Sequence, residues 1–552
     1  MKRLIIALIL LMAIFDGTAQ SDKKILNYIK KNVDFLADDK LEGRRTGTPG
    51  EALASKHIWI EMKENGLSPI FRSTKDEAIL HYIQPFSVKE GMMVEKAELS
   101  LGDADGFVLD KEFSPMAYSK TGMLQIDGSG NRDASTQSKK LVYFDIQPML
   151  KENASNVHFD AEEEIYKEIQ KKSTSGVELI IIYNSGENGI TYGFNPKSKR
   201  EGLTSFVVSV SRDVCTQMKK KTSSSYSLKM NLSISEKFRN GYNAGGWINN
   251  GAEQTIILGA HYDHLGYGED KNSLYAGSKP MIHNGADDNA SGTAALLALS
   301  KILKKSGSKK FNYLFLAFSG EELGLYGSKY YTEHPAMDLN KTSYMINMDM
   351  VGRLNDSTHG LTVGGFGTSS AWGQIISLND PYFKIKVDSA GNGPSDHTSF
   401  YRKDLPVLFF FTGTHSDYHK PSDDADKINY EGELKIVRYI ESLIQKTAGM
   451  GKIPFSKTKE SVASGKSSFK VSMGIMPDYT YSGNGVHVDG VSDNKPAQRA
   501  GIKTGDVIYK LGEYSVSDVQ SYMQVLSKME KGVPVKVKLK RGNEDLEMTV
   551  IF

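Results

Sequence analysis

Between residues 255 and 449 the chain alternates short apolar runs with stretches whose apolar residues recur every three or four positions. The apolar runs are TIILGA, NYLFLAFS, SYMINMDMV and PVLFFFTG, and a helical stretch, TAALLALSKILKK, follows the first of them. Strands that are apolar along their whole length are buried on both faces, and their alternation with helices favours a parallel sheet. We therefore predict an α/β domain with a mostly parallel sheet that is covered by helices on both faces.

Acidic residues and histidines follow these runs at the points where the strands end. They are His261, Asp263 and His264 after the first run, Glu321 and Glu322 after the second, Asp349 after the third, and His415, Asp417, Tyr418 and His419 after the fourth. The turn GADDNASG adds Asp287 and Asp288. One such residue usually packs or caps a helix, but parallel strands end at a shared edge where their loops converge. The recurrence predicts a metal site, and imidazole with carboxylate but no thiolate suits zinc.

Five segments together resemble the co-catalytic di-zinc aminopeptidase family: AHYDHLG, GADDNASG, SGEELGLYGS, NMDMVG and DYHKPSDD. This family includes secreted bacterial leucyl aminopeptidases, glutamate carboxypeptidase II, the transferrin receptor and glutaminyl cyclase. The segments LEGRRTGTPGE and SDHTSFY also look like family segments. The resemblance implies a metallopeptidase that removes single residues from peptides with a free amino terminus.

The resemblance also implies the residues that bind two zinc ions. They are His261 and Asp349 for one ion, Glu322 and His419 for the other, and Asp288 as the bridge. Asp288 is preferred to Asp287 because the family's bridging aspartate lies three residues before the Ser-Gly pair. We expect Asp287 to shape the turn instead.

Three further residues have implied catalytic roles. Glu321 resembles the family's general base, which takes a proton from the attacking water and passes it to the leaving amine. Asp263 is suited to accept the second ring N–H of His261 and so to fix its tautomer. Tyr418 is a candidate donor to the oxyanion. We expect the remaining histidines of these segments, His264, His397 and His415, to be structural or to line the substrate site.

Two other kinds of function stay open at this point. One is a different enzyme on the same fold, either a glutaminyl cyclase, which uses one zinc, or a carboxypeptidase that releases dipeptides. The other is a non-catalytic binding module, because the transferrin receptor keeps this fold without its metals. The complete set of five ligands favours hydrolysis over the cyclase and over the binding module.

A predicted inserted domain and a predicted tail flank the metal segments. The insert, residues 111–237, contains the β-rich runs LVYFDI, GVELIIIYN and TSFVVSVS. Of these, GVELIIIYN and SFVVSVS look similar to two core strands of a protease-associated domain. It would act as a lid over the substrate cleft or only stabilise the fold. The tail, residues 469–552, contains the run PAQRAGIKTGD from Pro496 to Asp506 and resembles a bacterial PDZ domain. Its loop of Met473, Gly474, Ile475 and Met476 is expected to bind the carboxyl terminus of a peptide or protein, unless the groove is closed.

The first residues predict export. Lys2 and Arg3 precede an apolar segment that ends near Phe15, and Gly17-Thr18-Ala19 offers a signal peptidase site. The segment is shorter than the ~20 residues of a membrane-spanning helix, so we expect a periplasmic or secreted protein without a transmembrane anchor after cleavage.

Cys215 is the single cysteine, so no intramolecular disulfide forms. Lys and Arg total 68 against 66 Asp and Glu, which makes nucleic acid an unlikely partner in this interpretation.

These observations predict five segments along the chain. They are a signal peptide over 1–19, a discontinuous catalytic domain over 20–110 and 238–450, an inserted domain over 111–237, a linker over 451–468 and a PDZ domain over 469–552.

Overall fold

The computed structural model of the chain describes most residues after the predicted signal peptide. The described residues are 20–72, 80–102, 106–128, 140–153, 161–198, 200–223, 226–270, 272–275, 277, 279–458, 471–477, 481, 483–491, 495–503, 505–526 and 528–552. The predicted signal peptide lies outside them, as do residues 459–468 of the predicted linker. Among the described helices, none has both the length and the apolar composition needed to cross a membrane.

A helical layer opens the described chain. Helix α1 spans residues 20–36, a 3-10 turn spans Asp39–Arg44, and α2 spans Pro49–Glu64. Helix α2 starts at Pro49 because the Thr48 hydroxyl accepts the N–H of Glu51 and proline is favoured at a first helical position. The strands that follow are β1 (Phe71–Arg72), β2 (Leu80–His81) and β3 (Ile83–Leu101). The layer packs into the main hydrophobic core through residues such as Ile29 of α1 and Ile58 of α2.

The chain divides into two compact units, and the smaller unit consists of Lys89–Phe238 with Gly512–Ser517. Its further elements are β4 (Phe113–Pro115), β5 (Gly122–Gly128), β6 (Leu141–Asp145), α3 (Gln147–Glu152), α4 (Ala161–Thr174), β7 (Leu179–Tyr183), β8 (Phe206–Val210), α5 (Arg212–Thr222) and β9 (Tyr226–Ile248). One sheet has the order β4-β8-β7-β6, with β6, β7 and β8 parallel. Strand β5 instead pairs with β9, antiparallel.

Two features of this unit differ from the sequence-based prediction. The unit begins at Lys89 and not at residue 111, because β3 continues as one strand from Ile83 to Leu101. The polar stretches between its β-rich runs also hold helices α4 and α5. Ile169 of α4 and Met218 of α5 belong to separate hydrophobic clusters, each with its own residues of β7, so the small sheet has a helix on each face.

The catalytic region supplies the central strands and most of the remaining helices. Its elements are β10 (Gln254–His261), α6 (Gly292–Ser306), β11 (Phe311–Phe318), α7 (Tyr326–Glu333), β12 (Thr342–Met348), β13 (Gly360–Gly364), α8 (Trp372–Ile375), β14 (Lys384–Val387), α9 (His397–Tyr401), β15 (Val407–Phe411) and α10 (Tyr430–Thr447). The strand order is β14-β13-β15-β12-β10-β11-β9-β3, and β5 pairs with β9 as the ninth strand. The four central strands, β11, β10, β12 and β15, are parallel to one another.

Alternate residues of β10 pack on opposite faces of the sheet. Ile256 and Leu258 belong to a cluster that contains residues of α1, α2, α6 and α10, whereas Ile257 belongs to a cluster with residues of α7 and α9. Both faces of the central strands are therefore covered by helices. This explains why these strands are apolar along most of their length. The predicted α/β class is confirmed.

The start of the predicted linker packs on the catalytic region. Ile453 is buried, and its N–H donates to the Ser343 hydroxyl at 3.2 Å. The Thr458 hydroxyl accepts the N–H of Gly391 at 3.1 Å. The catalytic region thus continues to at least residue 458, beyond the predicted boundary at 450. Ile453 and Phe455 are the apolar residues that the Lys- and Ser-rich composition concealed.

The tail folds around a six-stranded sheet. Its elements are β16 (Ile475–Pro477), β17 (Val486–Val491), α11 (Pro496–Arg499), β18 (Val507–Leu511), β19 (Tyr514–Ser515), α12 (Val519–Leu526), β20 (Pro534–Arg541) and β21 (Glu544–Ile551). The order is β16-β17-β18-β20-β21, with β19 paired to β18. The buried Asp506 carboxylate accepts two hydrogen bonds from the Arg541 guanidinium, at 2.7 and 2.8 Å.

Candidate metal centre

The parallel strands bring the chemically active loops to one edge of the central sheet. Strand β10 ends at His261, which is in register with Phe318 at the end of β11. Asp349 directly follows the last residue of β12. Because these strands run in the same direction, the side chains that follow them converge.

His261 and Asp349 form one half of the centre together with Asp288. The Nε2 atom of His261 is 3.4 Å from Oδ1 of Asp288 and 3.4 Å from Oδ1 of Asp349. All three side chains are largely buried. These three residues form a group with the geometry to hold a metal ion.

His419 and Glu322 form the other half with the second oxygen of Asp288. The Nε2 atom of His419 is 3.3 Å from Oδ2 of Asp288 and 3.3 Å from Oε2 of Glu322. Asp288 therefore faces one histidine with each of its two oxygens. This is the arrangement expected of a carboxylate that bridges two ions.

These separations fit zinc. Nitrogen and oxygen ligands lie about 2.0–2.1 Å from zinc, so two ligands of a tetrahedral ion are about 3.3 Å apart. The clustered carboxylates also give the site a strong negative charge. Burial lowers the pKa of His419, but the negative charges of Glu322 and Asp288 raise it to about 11. Such a site attracts cations, and its imidazole and carboxylate donors suit a borderline metal.

The backbone around Asp288 separates it from Asp287. The Asp423 carboxylate accepts the N–H groups of both residues at 3.0 Å, which fixes the turn. Asp287 points elsewhere: its Oδ1 accepts the N–H of Gly352 at 2.7 Å and its Oδ2 lies 3.1 Å from Nε2 of His415. The structure thus places Asp288 between His261 and His419 and gives Asp287 and His415 a structural contact.

His264 lies closer to the centre than the sequence analysis expected. Its Nδ1 is 2.8 Å from Oε1 of Glu322, and both groups are buried. The three residues His264, Asp288 and Glu322 also form a group with metal-holding geometry. A separation of 2.8 Å is a hydrogen bond and is shorter than the distance between two ligands of one zinc ion. We therefore assign His264 to orienting Glu322. His397 is buried and stacks on Phe409.

The Glu321 carboxylate lies beside the ligands without joining either half. Its Oε2 is 4.0 Å from Nε2 of His261. Burial raises the pKa of Glu321 well above its ordinary value, and the neighbouring Glu322 and Asp349 carboxylates raise it further. A carboxyl with a raised pKa next to a metal site is suited to accepting and returning a proton.

Asp263 supports the centre in a different way from the one expected. The Nδ1 atom of His261 is 3.2 Å from the main-chain oxygen of Asp263 but 3.7 Å from its carboxylate, so only the carbonyl is within hydrogen-bond distance. The carboxylate instead accepts the N–H of Glu321 at 3.1 Å and the hydroxyl of Thr46 at 2.9 Å. It therefore positions the loop that carries Glu321, and the main chain orients His261.

Tyr418 stacks on the ligand His419, with ring centroids 3.9 Å apart. Burial raises the pKa of Tyr418 well above its ordinary value, and the nearby carboxylates of the centre raise it further. Its hydroxyl therefore keeps its proton at neutral pH and is available as a hydrogen-bond donor.

Two supporting residues were not identified from the sequence. The Ser395 hydroxyl donates to Oδ2 of Asp349 at 2.7 Å, and its oxygen accepts the amide of Asn347 at 2.8 Å. Ser395 lies in the segment SDHTSFY, which the sequence analysis quoted only as a family resemblance. Its place in that segment was the signal in the sequence that could have identified it.

The second is Arg44, from the segment LEGRRTGTPGE. Its buried guanidinium donates to the carbonyl oxygens of Tyr262 at 2.7 Å and Gly285 at 3.0 Å, and also to those of Asn284 and Leu36. Burial lowers the pKa of Arg44 to about 10, which leaves it charged at neutral pH. It joins the loop after β10 to the turn that carries Asp288.

The predicted peptide loop of the tail lies at the start of the edge strand β16. Gly474 has φ of +79°, in the left-handed region that glycine adopts readily. The carbonyl of Met473 accepts the N–H of Ala497 at 2.8 Å, and the side chains of Met473 and Ile475 are buried. Met476 follows within the strand.

A cluster of histidines and carboxylates at the carboxyl edge of a parallel sheet is typical of metal-dependent hydrolases. Residues 243–444 match the model of peptidase family M28, and residues 468–551 match that of the PDZ domain. Residues 243–444 therefore form a peptidase family M28 domain, and a PDZ domain follows it.

Two relatives and one solved structure are similar to this chain. The chain is 26% identical over 281 residues to aminopeptidase YwaD of Bacillus subtilis, covering 48% of this chain and 56% of that protein. It is 30% identical over 190 residues to leupeptin-inactivating enzyme 1 of Streptomyces exfoliatus, covering 34% and 39%. The aligned regions thus span about half of these relatives. The structure of BSAP, a zinc aminopeptidase from Bacillus subtilis, has 18% identity and a TM-score of 0.42, covering 80% of this chain and 97% of that one.

Proposed function

We propose that this protein is a zinc aminopeptidase with two zinc ions in its centre. The observation that carries the proposal is the placement of Asp288, whose two oxygens each face a separate histidine and carboxylate pair. Support for aminopeptidase activity comes from the relative named aminopeptidase YwaD.

The proposed ligands divide as the two halves of the centre do. His261 and Asp349 would hold one ion, His419 and Glu322 the other, with Asp288 shared. Zinc bound there would polarise the scissile carbonyl and lower the pKa of water.

Proton transfer falls to Glu321. Its carboxylate takes the proton of the attacking water and passes it to the leaving amine. This role suits Glu321 because it is not one of the proposed metal ligands. Asp263 holds the Glu321 main chain in place through the hydrogen bond at 3.1 Å. Tyr418 would donate a hydrogen bond from its hydroxyl to the oxyanion that develops from the scissile carbonyl.

The proposed function is tested with a mixed peptide set, half with free and half with acetylated amino termini. The purified protein is incubated with the set, with and without a chelator, and products are identified by mass spectrometry. We expect stepwise loss of first residues from the free peptides alone, and the chelator should stop it.

Each other outcome contradicts the proposal in a distinct way. Loss of ammonia from amino-terminal glutamine would indicate a cyclase, and release of carboxyl-terminal residues would indicate a carboxypeptidase. No change in any peptide, with zinc present, would favour a binding module. Metal analysis of the same preparation checks the expected two zinc ions per chain.

We also propose that the PDZ domain binds a free peptide carboxyl terminus at Met473, Gly474, Ile475 and Met476. The edge position of β16 and the left-handed Gly474 support this, since PDZ domains extend a sheet edge and capture a carboxylate on backbone N–H groups. A Cβ on Gly474 would lie 2.1 Å from Cβ of Lys495. Gly474→Val should therefore abolish binding of a fluorescent apolar-ended peptide, and an amidated copy should not bind the wild type.

Export and a lid complete the proposal. The basic and apolar first residues support secretion or a periplasmic location, and amino-terminal sequencing of protein from the native host should start near residue 20.

The unit Lys89–Phe238 is proposed as the lid, on the resemblance to a protease-associated domain. Short peptides should then be trimmed, whereas folded proteins with accessible amino termini should not.

A further inference from the structure

A short loop segment, residues 272–275, is hydrogen-bonded to Glu322 and His419, the two unshared ligands proposed for one zinc ion. The main-chain oxygen of Asn272 accepts a hydrogen bond from Nδ1 of His419 at 2.9 Å, and the carbonyl of His419 accepts the N–H of Leu274 at 2.9 Å. The Asn272 side-chain amide donates to the carbonyl of Glu322 at 3.3 Å. Because a carbonyl oxygen only accepts, the ring proton of His419 lies on Nδ1, and Nε2 is left free for the ion.

The other ion would be held by ligands that other residues orient. His261 donates from Nδ1 to the main-chain oxygen of Asp263 at 3.2 Å, and Asp349 accepts the Ser395 hydroxyl at 2.7 Å. Among the described residues, no hydrogen bond joins residues 272–275 to His261 or Asp349. The two halves of the centre are thus oriented by separate parts of the chain, apart from the aspartate that they share.

The segment is itself held by the side chain of His283. Oγ of Ser273 is 2.7 Å from Nε2 of His283, and Nδ1 of His283 is 2.9 Å from the main-chain oxygen of Met281. The ring proton lies on Nδ1, since a carbonyl cannot donate, and burial lowers the pKa of His283 below its ordinary value. The neutral ring therefore accepts the Ser273 hydroxyl at Nε2. The oxygen of that hydroxyl accepts the N–H of Tyr275 at 3.0 Å, so Ser273 joins the segment to His283.

His283 is fixed in turn by the main chain. Its N–H donates to the carbonyl of Gly266 at 2.9 Å, and the N–H of Gly266 donates to the carbonyl of Gly43 at 3.1 Å. A Cβ on Gly43 would lie 2.5 Å from the carbonyl oxygen of His283, so the two main chains are as close as glycine allows. A continuous series of contacts therefore runs from the 3-10 turn through His283 and Ser273 to the two ligands.

We propose that Ser273 and His283 are positioning residues for the ion that Glu322 and His419 would hold. They act on both ligands through residues 272–275, whereas the other ion does not depend on them. This inference rests on the two-zinc centre proposed above. It adds that the affinity for each ion is set by a separate part of the chain.

The test is a zinc titration of the full chain in buffers of defined free zinc, with bound zinc measured by metal analysis. In Ser273→Ala the affinity for one ion should fall about tenfold, because lost outer contacts usually cost 10–100-fold, and the affinity for the other ion should stay within about twofold. Ser273→Thr keeps the hydroxyl and should restore the wild-type titration.

Ser395→Ala is the matched variant for the other ion, because it removes the donor to Asp349. Alone, it should lower the affinity for one ion by a similar factor. The double variant Ser273→Ala/Ser395→Ala should then lose about tenfold for each ion, since separate effects add. Two contacts acting on the same ion would instead lower its affinity about a hundredfold and leave the other ion unchanged.

The outcomes separate the inference from the proposed function. Equal losses for both ions in Ser273→Ala, no loss for either, no recovery in Ser273→Thr, or a loss confined to one ion in the double variant would each overturn the inference. The proposed centre would still stand in those cases if the wild type binds two ions. A wild type that binds fewer than two zinc ions would overturn the two-zinc centre, and the inference with it.

Discussion

At the scale of single residues, the centre depends on how its carboxylates are oriented by their neighbours. The main-chain N–H of Asp288 donates to the Asp423 carboxylate. The Ser395 hydroxyl donates to the Asp349 carboxylate, and the His264 ring is hydrogen-bonded to the Glu322 carboxylate. Such contacts hold ligands in the geometry that a metal requires and raise affinity for it. A single substitution can therefore separate loss of metal from loss of chemistry.

Glu321→Gln is expected to lower kcat by about 10²–10⁴-fold, the usual contribution of a general base, because an amide cannot accept the proton. Its zinc content should match that of the wild type, since Glu321 is not a proposed ligand. The neighbouring variant Glu322→Gln should lose both zinc and activity. Turnover assays combined with metal analysis of both variants check this, and normal turnover by Glu321→Gln would refute the base assignment.

Arg44→Met is expected to destabilise the protein by about 3–5 kcal/mol, because it leaves buried carbonyl groups and buried carboxylates without their cation. Zinc affinity should fall about 10–100-fold, since the loops that carry His261 and Asp288 lose their shared contact. Chemical denaturation and zinc competition with a chelating dye measure the two effects.

Arg438→Met is the control for Arg44→Met. Its guanidinium is partly exposed and pairs with Asp22 and Glu441, away from the centre. It should change stability by no more than about 1 kcal/mol and leave zinc affinity unaltered. Equal losses in both variants would show that Arg44 has no specific role in the centre.

At the scale of elements, helix α2 contributes a pH dependence to stability. The ring of His57 stacks on Phe35 with centroids 3.8 Å apart, and its Nε2 is 2.8 Å from Oδ1 of Asn32. Burial lowers the pKa of His57 to about 4, with the charge of Lys31 also lowering it and Glu61 opposing. The unfolded chain binds this proton near pH 6.5 and the folded chain only near pH 4, so acidification favours unfolding in that window.

We therefore expect the wild type to lose about 1–2 kcal/mol of stability from this group between pH 7 and pH 4.5, after allowance for solvent screening. His57→Phe should show a smaller loss over the same interval, because it cannot be protonated. Denaturant titrations at the two pH values measure the difference. If both proteins lose the same amount, His57 does not have the lowered pKa.

At the scale of the whole molecule, metal binding is expected to be part of stability. Zinc that binds only the folded state adds about 4 kcal/mol when it is present at about 1,000 times its Kd. Removing it with a chelator should lower Tm by several degrees, and added zinc should restore Tm. His419→Ala, which lacks a proposed ligand, should respond less to either treatment. A chelator that removes all zinc without changing Tm would contradict this expectation.

The sequence by itself determined the local features. Apolar strands alternate with amphipathic helices because a sheet covered on both faces needs continuous apolar strands, and this was readable between residues 255 and 449. The ligand types at the strand ends were readable too, because the carboxyl ends of parallel strands meet at one edge. Helices α4 and α5 were also encoded locally, by apolar residues such as Ile165 and Ile169, but their polar composition concealed them.

Only the tertiary structure decided which atoms meet. Arg44 is more than two hundred positions from the carbonyls of Tyr262 and Gly285 that it joins, and no local pattern marks such a contact. The same holds for Ser395 on Asp349, for the Asp263 carboxylate on the N–H of Glu321, and for the segment 272–275 against His419. Periodicity records which face of an element is buried, whereas the orientation of a carboxylate depends on donors that only the folded chain brings within hydrogen-bond distance.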